Sequence, residues 1–273
     1  MNRVVPKILV EDLSLEFPAK DGTRTQVLRS IDLEVQAGEF ICIVGPSGCG
    51  KSTLLNIACG FLAPSRGRVV VDDVPVTKPD RRRVFIFQDN AVFPWLTVRE
   101  NIGFGLRDRT APESTATIQR YIEMIGLAGF EDSYPRDLSG GMNQRVEIAR
   151  ALASDPDILF MDEPLGALDF LTRLKMRADL VEIWRQERKT ILFVTHDVEE
   201  SVQLADRIVV MSSRPAEIRS VIPVKLPRPR NLDDPECLRI RDEVFHLMGL
   251  DHFGRSEELD SPNGKIARGQ DPV

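Results

Sequence analysis

Phe40-Ile-Cys-Ile-Val44-Gly45-Pro46-Ser47-Gly48-Cys49-Gly50-Lys51-Ser52-Thr53-Leu-Leu-Asn-Ile-Ala-Cys59 decides the fold. Five apolar residues rich in β-formers make a buried strand, and the stretch from Ser52 to Cys59 makes an amphipathic helix. Between them, Gly45 to Ser52 fits G-x-x-x-x-G-K-[ST] at every position. Glycines let successive backbone N–H groups curl around phosphate oxygens, with the positive end of the helix dipole behind them. Lys51 reaches the β- and γ-phosphates of a nucleoside triphosphate, and the Ser52 hydroxyl suits Mg²⁺. A glycine-rich turn that merely contains Lys-Ser would not need a strand before it and a helix after it. The expected fold class is therefore α/β, a P-loop NTPase with a parallel-sheet core.

Asp157-Ile-Leu-Phe-Met-Asp162-Glu163 reads as a second buried strand ending in two acids. A parallel sheet presents functional residues at the carboxyl ends of its strands, beside the phosphate loop. Asp162 is placed to hold the Mg²⁺ shell and Glu163 to orient and deprotonate water. A positioned base is worth about 10²–10⁴ in rate. On its own an Asp-Glu pair after a strand would read as a solvated turn; the phosphate loop changes that reading.

A second glycine-rich segment, Leu138-Ser139-Gly140-Gly141-Met142, also runs into a helix, through Leu152. Ser139 is a good N-cap, and the two glycines leave the first-turn amides bare. Val146, Ile148, Ala149 and Leu152 form an apolar face at helical spacing. From these residues alone an ordinary capped helix and an anion-binding helix start read equally well. The segment has no lysine, and one nucleotide per chain does not need two cradles.

With that segment in place the chain resembles the ATP-binding-cassette (ABC) ATPases over residues 8–230. Leu138 to Met142 is similar to their signature motif, with Met142 where Gln is commoner. Phe17 resembles the aromatic residue that stacks on adenine. Gln88, after Val84-Phe-Ile-Phe87, resembles the Q-loop glutamine, which also ligates Mg²⁺. Ala167-Leu168-Asp169 resembles the D-loop, and His196, after Thr190-Ile-Leu-Phe-Val-Thr195, the switch histidine. The resemblance implies a homodimer packed head to tail, in which Ser139, Gly140 and Gly141 of one subunit face the γ-phosphate held at Lys51 of the other. It implies ATP and Mg²⁺ as ligands. Gly45, Pro46, Ser47, Gly48, Cys49, Gly50, Lys51, Ser52 and Thr53 would cradle the nucleotide, Ser52, Gln88 and Asp162 would hold the metal, and Glu163, His196, Gln88 and Lys51 would perform hydrolysis. Met142 and Asp169 would complete the interface.

The rest of the chain sets bounds. Its 273 residues hold one cassette and a tail, not a fused pair. No apolar run approaches the roughly 18–20 residues that span a bilayer, and Met1 to Lys7 lacks a secretory core. Cys42, Cys49, Cys59 and Cys237 have no metal spacing and suit reduced thiols; Cys49 reads more simply as a small loop residue than as a redox switch. A net charge of −6 argues against a nucleic-acid partner, and Arg81-Arg82-Arg83 reads as a solvated loop before a strand.

The expected organisation is an ABC ATPase domain over 1–230, with a helical subdomain at about 98–155, a helical extension at 231–251 and a disordered tail at 252–273. Residues 8–36 and 66–76 carry the alternation and turn signals of an antiparallel β lobe. Asp72-Asp73 stands where the family often has Asp-Gly, which makes a tight primed turn less comfortable. Residues 98–137 read mostly as helix. Pro235 to Leu250 reads as one helix with Leu238, Val244, Phe245 and Leu247 on its apolar side.

Asp89-Asn-Ala-Val-Phe93-Pro-Trp95-Leu-Thr-Val98 places large apolar residues in a loop. In import cassettes the region after the Q-loop receives the permease's coupling helix; equally, one of Phe93 and Trp95 could fill the helical subdomain's own core. Met142, together with Met211-Ser-Ser-Arg-Pro-Ala-Glu-Ile218 and Leu226-Pro-Arg-Pro-Arg230, resembles the nitrate/sulfonate/taurine group of bacterial importers, with Asn143 a departure from Gln. The resemblance implies an ATPase subunit at the cytoplasmic face of the inner membrane. It would bind an integral-membrane permease through Gln88–Val98 and serve, indirectly, a substrate-binding protein. An importer for another small solute, such as a heterocyclic vitamin precursor or aromatic acid, and a non-transport ABC ATPase are the alternatives.

Overall fold

A computed structural model describes residues 5–18, 22–88, 91–106, 108, 111–166 and 168–250. The tail expected to be disordered and Ala167 of the D-loop stretch lie outside the described residues, as do Asp89 and Asn90.

Two sheets build the described chain. The antiparallel one comprises β1 (Ile8–Pro18), β2 (Arg24–Val35), β4 (Arg66–Val71) and β5 (Val74–Pro75), in the order β2-β1-β4-β5. Asp72 and Asp73 close β4 onto β5 with φ of 50° and 61° while Val71 pairs with Val74. Both central residues are thus left-handed, as a primed two-residue hairpin turn requires, and Asp accepts what glycine would adopt more easily.

The second sheet has β3 (Phe40–Val44), β6 (Arg83–Ile86), β7 (Ile158–Asp162), β8 (Thr190–Val194), β9 (Arg207–Met211) and β10 (Ile218–Pro223), ordered β10-β9-β3-β8-β7-β6. All pairs are parallel except β10 with β9. Helices or the antiparallel sheet cover both faces, which is why these strands are apolar without alternation. Phe40, Cys42 and Val44 join the core on one face, with Phe193 and Met161; Ile41 and Ile43 join the other, with Phe160 and Leu192. The carboxyl ends of β3, β6, β7, β8 and β9 consequently lie along one edge.

α1 (Lys51–Cys59) follows β3 directly, and α4 (Gly140–Ala153) precedes β7. Between β6 and α4 stand α2 (Val98–Ile102) and α3 (Pro112–Met124). Less of 98–137 is helical than its composition suggests. α2 is one capped turn, entered through Thr97 with a Thr97–Glu100 capping box, and after α3 the chain turns at Gly126 and Gly129, both at positive φ. Three helices follow among the described residues: α5 (Phe170–Glu187), α6 (Val198–Leu204) and α7 (Pro235–Met248). In α7 the buried stripe is Cys237, Ile240 and Val244, while Leu238, Phe245 and Leu247 are half-buried at its margin. A Cys at i and an Ile at i+3 satisfy the helical period better than the more hydrophobic residues beside them. Arg81 and Arg82 are solvent-exposed as expected, whereas Arg83 opens β6 and donates to the Lys78 carbonyl.

Candidate nucleotide site

The loop after β3 stays close to the sheet because it has no room to do otherwise. A Cβ on Gly45 would stand 2.9 Å from the Met211 carbonyl oxygen, and one on Gly50 would meet Val27 and Leu28 of β2 at 3.0 Å. Gly50 also has φ 126°, so both its space and its backbone require glycine. It caps α1 without a side-chain bond. The first-turn N–H groups of α1 therefore have no side-chain acceptor at the cap, the arrangement that favours a bound anion.

Lys51 folds back over the loop. Its Nζ donates to the carbonyl oxygens of Gly45 (2.9 Å) and Pro46 (3.1 Å), and the residue is only 5% exposed. Among the described residues it has no carboxylate partner. Cys49 is buried behind it, and burial pushes its thiol pKa up against the opposing pull of Lys51. A thiol held protonated is a poor nucleophile, so this cysteine packs rather than reacts.

Three neighbouring strand ends deliver the rest. From β7, Asp162 accepts from Ser52 Oγ at 2.9 Å. Burial raises the Asp162 pKa and the charge of Glu163 adds to that, while the Ser52 hydrogen bond lowers it. Glu163 takes φ 46°, with its N–H donating to the Val194 carbonyl. That left-handed backbone at a strand exit is the kind of local strain found at functional sites. From β8, His196 brings Nδ1 to 3.0 Å from Glu163 Oε2. From β6 comes Gln88, which lines the same cleft as Ser47, Lys51, Ser52 and Glu163. Ser52 and Asp162 offer a hydroxyl and a carboxylate, and Gln88 an amide oxygen. An all-oxygen set with few protein ligands fits Mg²⁺, which keeps waters and phosphates in its shell. No cluster of three or more His, Cys, Asp or Glu among the described residues competes with it.

Arg214 also lines this cleft and was not among the residues expected there. It follows β9, whose carboxyl end shares the edge with the phosphate loop. The legible signal was an arginine just past a buried strand; the Met211–Ile218 stretch had been read only for its family likeness. It is exposed, with no acceptor among the described residues.

Other expected residues stand elsewhere. Phe17 is 41% exposed near the end of β1, paired with Thr25, and does not line the cleft. Ser139 caps α4 as expected, its Oγ accepting from the Met142 N–H at 3.3 Å. Ser139 and Gly140 are exposed, Gly141 is buried against Thr172, and none of the five signature residues lines the Lys51 cleft. Asp169 is the exposed N-cap of α5, and its bond from Thr172 lowers its pKa.

Residues 28–166 match the ABC transporter family model. The chain belongs to that family. An ATP-binding protein of Brucella abortus is 49% identical over 226 residues, 81% of this chain and 87% of that protein. The aliphatic sulfonates import ATP-binding protein SsuB of Bacillus cereus is 44% identical over 240 residues, 87% of this chain and 94% of that protein. Among solved structures, the dimeric post-hydrolysis ATP-binding cassette MJ0796 with ADP and Pi aligns at TM-score 0.68 and 29% identity, over 81% of this chain and all of that one. The ABC transporter component cbiO1 of Clostridium perfringens aligns at 0.71 and 28%, over 81% and 89%. This ABC protein is thus an ATP-binding, ATP-hydrolysing cassette. Among its described residues no helix is long and apolar enough to cross a membrane.

Proposed function

We propose that the chain is the ATPase subunit of an ABC importer, working as a head-to-tail homodimer that drives a membrane permease. The observation that carries this reading is the separation of the two glycine-rich helix starts. Ser139 and Gly140 are exposed and do not line their own chain's Lys51 cleft, so that start is available to close a second subunit's cleft. That a related cassette is dimeric with ADP and Pi bound supports a dimer.

Lys51 and the loop amides hold the phosphates, Phe17 stacks on adenine, and Ser52, Asp162 and Gln88 would hold Mg²⁺, which would neutralise phosphate charge. Glu163 accepts the proton of the attacking water as the bond from the γ-phosphorus to the bridging oxygen breaks. His196, hydrogen-bonded to Glu163, fixes the carboxylate and contacts the γ-phosphate. Asp169 and Met142 join the interface, where Asp169 links the two sites. The Gln88–Val98 region carries closure to the permease, and the assembly sits at the cytoplasmic face of the membrane.

A small anionic solute such as a sulfonate, nitrate or taurine is the proposed cargo, supported by the sulfonate-import relatives. We also propose the domain division at about 230, with the helical subdomain at 98–155. The test of the site is Glu163→Gln, which removes the base but not the phosphate contacts. It is expected to bind ATP and elute as a dimer in excess ATP; a monomer that binds ATP would overturn the dimeric mechanism.

A further inference from the structure

α4 carries one buried and one half-buried charged residue that the nucleotide chemistry does not use. Glu147 is 2% exposed, and Arg150 follows one turn later on the same face. Both reach across to Ala91, three residues beyond Gln88. Glu147 Oε2 accepts from the Ala91 N–H at 3.3 Å, and Arg150 Nη1 donates to the Ala91 carbonyl at 2.8 Å. One residue of an otherwise irregular segment is thus gripped through both of its backbone groups by one helix.

The grip continues along the segment. The Arg150 guanidinium lies over the Phe93 ring, 4.7 Å from its centroid, and Phe93 packs on Phe104 and Trp95. Asn101, fully buried, receives the Phe93 N–H and donates to the carbonyls of Phe93, Leu96 and Thr97. Phe93 therefore supports the loop from beneath, while Trp95 is presented to solvent at 69% exposure. A carboxylate would not be buried here for stability alone, because desolvation costs more than a neutral residue of the same shape would.

We propose that Glu147 and Arg150 are positioning residues that lock Ala91 and the Phe93–Trp95 loop to the signature helix, so that the Ser139 cradle and the permease-facing aromatic loop move as one body. The inference deepens the importer reading and rests on it. Without the lock, closure of the Ser139 cradle on a neighbour's nucleotide would not displace Trp95.

The carboxylate is also proton-sensitive. Burial pushes its pKa up to about 7, partly opposed by the Ala91 N–H, the Arg150 charge and the Phe87 N–H. The elements packed against it, β6 and residues 91–105, present Val84, Ile86, Phe93 and Phe104 to this pocket; among the described residues Arg150 is the charged side chain facing it. The lock is therefore strongest above neutrality, where Glu147 is the better acceptor.

The chain has two tryptophans, Trp95 and the buried Trp184, so ¹⁹F NMR of full-length protein labelled with 5-fluorotryptophan, assigned with Trp95→Phe, reads the loop directly. With Glu163→Gln as background and ATP as the probe, the Trp95 resonance is expected to shift on binding. Glu147→Ala is expected to lose that shift while its ATP affinity stays within about two-fold, since it removes a contact made outside the cleft. Glu147→Gln, which keeps an acceptor for Ala91, is expected to restore the shift and to abolish its change between pH 6 and 8. Full retention of the shift in Glu147→Ala would overturn the proposal, as would an ATP-bound parent whose Trp95 does not respond. A parent that binds no ATP would overturn the reading of the site itself.

Discussion

The two glycine-rich helix starts differ in what finishes them. At Gly50–Lys51 the cap is a glycine with no side-chain bond, and the cationic side chain is folded onto carbonyls of its own loop. At Ser139–Gly140 the cap is satisfied by its own serine, the surface is exposed, and Leu138 to Met142 includes no Lys or Arg. The first is a cleft lined from several strand ends, with the hydrogen-bonded Glu163–His196 pair from β7 and β8; the second is a face. Glycine near a helix start therefore does not identify a ligand site by itself, and what decides is whether strand ends converge on it.

The largest effect should come from the cleft. Lys51→Ala removes the charge facing the phosphates and is expected to reduce ATP turnover by at least about 10²–10³-fold, the scale of a lost transition-state donor. A steady-state ATPase assay checks this. Near-normal turnover would put the nucleotide elsewhere.

The face differs from the cleft in a second way, since its helix hides a carboxylate at Glu147. The pKa of Glu147 is raised from 4.5 to about 7 in the folded chain, so the native state holds a proton that the unfolded chain releases between those values. Stability is then lost as pH rises through that window. Glu147→Gln is expected to match wild type near pH 4.5 and to exceed it by up to about 3 kcal/mol above pH 7, measured by urea unfolding. A constant difference across the window would mean that Glu147 is not held protonated.

Within the face, Gly140 and Gly141 separate packing from function. A Cβ on Gly141 would lie 2.4 Å from Thr172 Cγ2, whereas one on Gly140 meets nothing within 4 Å. Gly141→Ala is expected to cost about 1–3 kcal/mol of stability through overpacking. Gly140→Ala is expected to leave the melting temperature unchanged yet reduce turnover, because it adds bulk only where a second subunit's phosphate would come. Unchanged turnover in Gly140→Ala would weaken the contrast at its root.

Much of this was legible in the chain. Local pattern fixed the phosphate loop, the Asp162–Glu163 strand end and the Ser139 cap, since each depends on residues a few positions apart. The placement of Gln88 and Glu163 beside Lys51, with His196 on Glu163, was readable because parallel strands share an edge. Arg214 was missed because an arginine past a buried strand marks a strand end, while the pairing of β9 beside β3 that brings it to this cleft is non-local. Glu147 was missed for a related reason. A glutamate on a helix reads as a solvated face, and only packing against β6 and residues 91–105 buries it. The adenine-stacking role of Phe17 rests on the family likeness, since its exposed side chain lies outside the cleft lining. In α7, hydrophobicity favoured Leu238 and Phe245, while geometry buried Cys237 and Ile240.

The contrast between site and face is tested most directly by dividing them between two chains. Lys51→Ala and Ser139→Arg proteins, each inactive alone, would be mixed with separate affinity tags, the doubly tagged heterodimer isolated and its ATP turnover measured. One composite site in that heterodimer has an intact lysine loop facing an intact serine cradle, so turnover is expected to return. A confirmed heterodimer as inactive as its parents would contradict the assignment of the two helix starts to different subunits' sites.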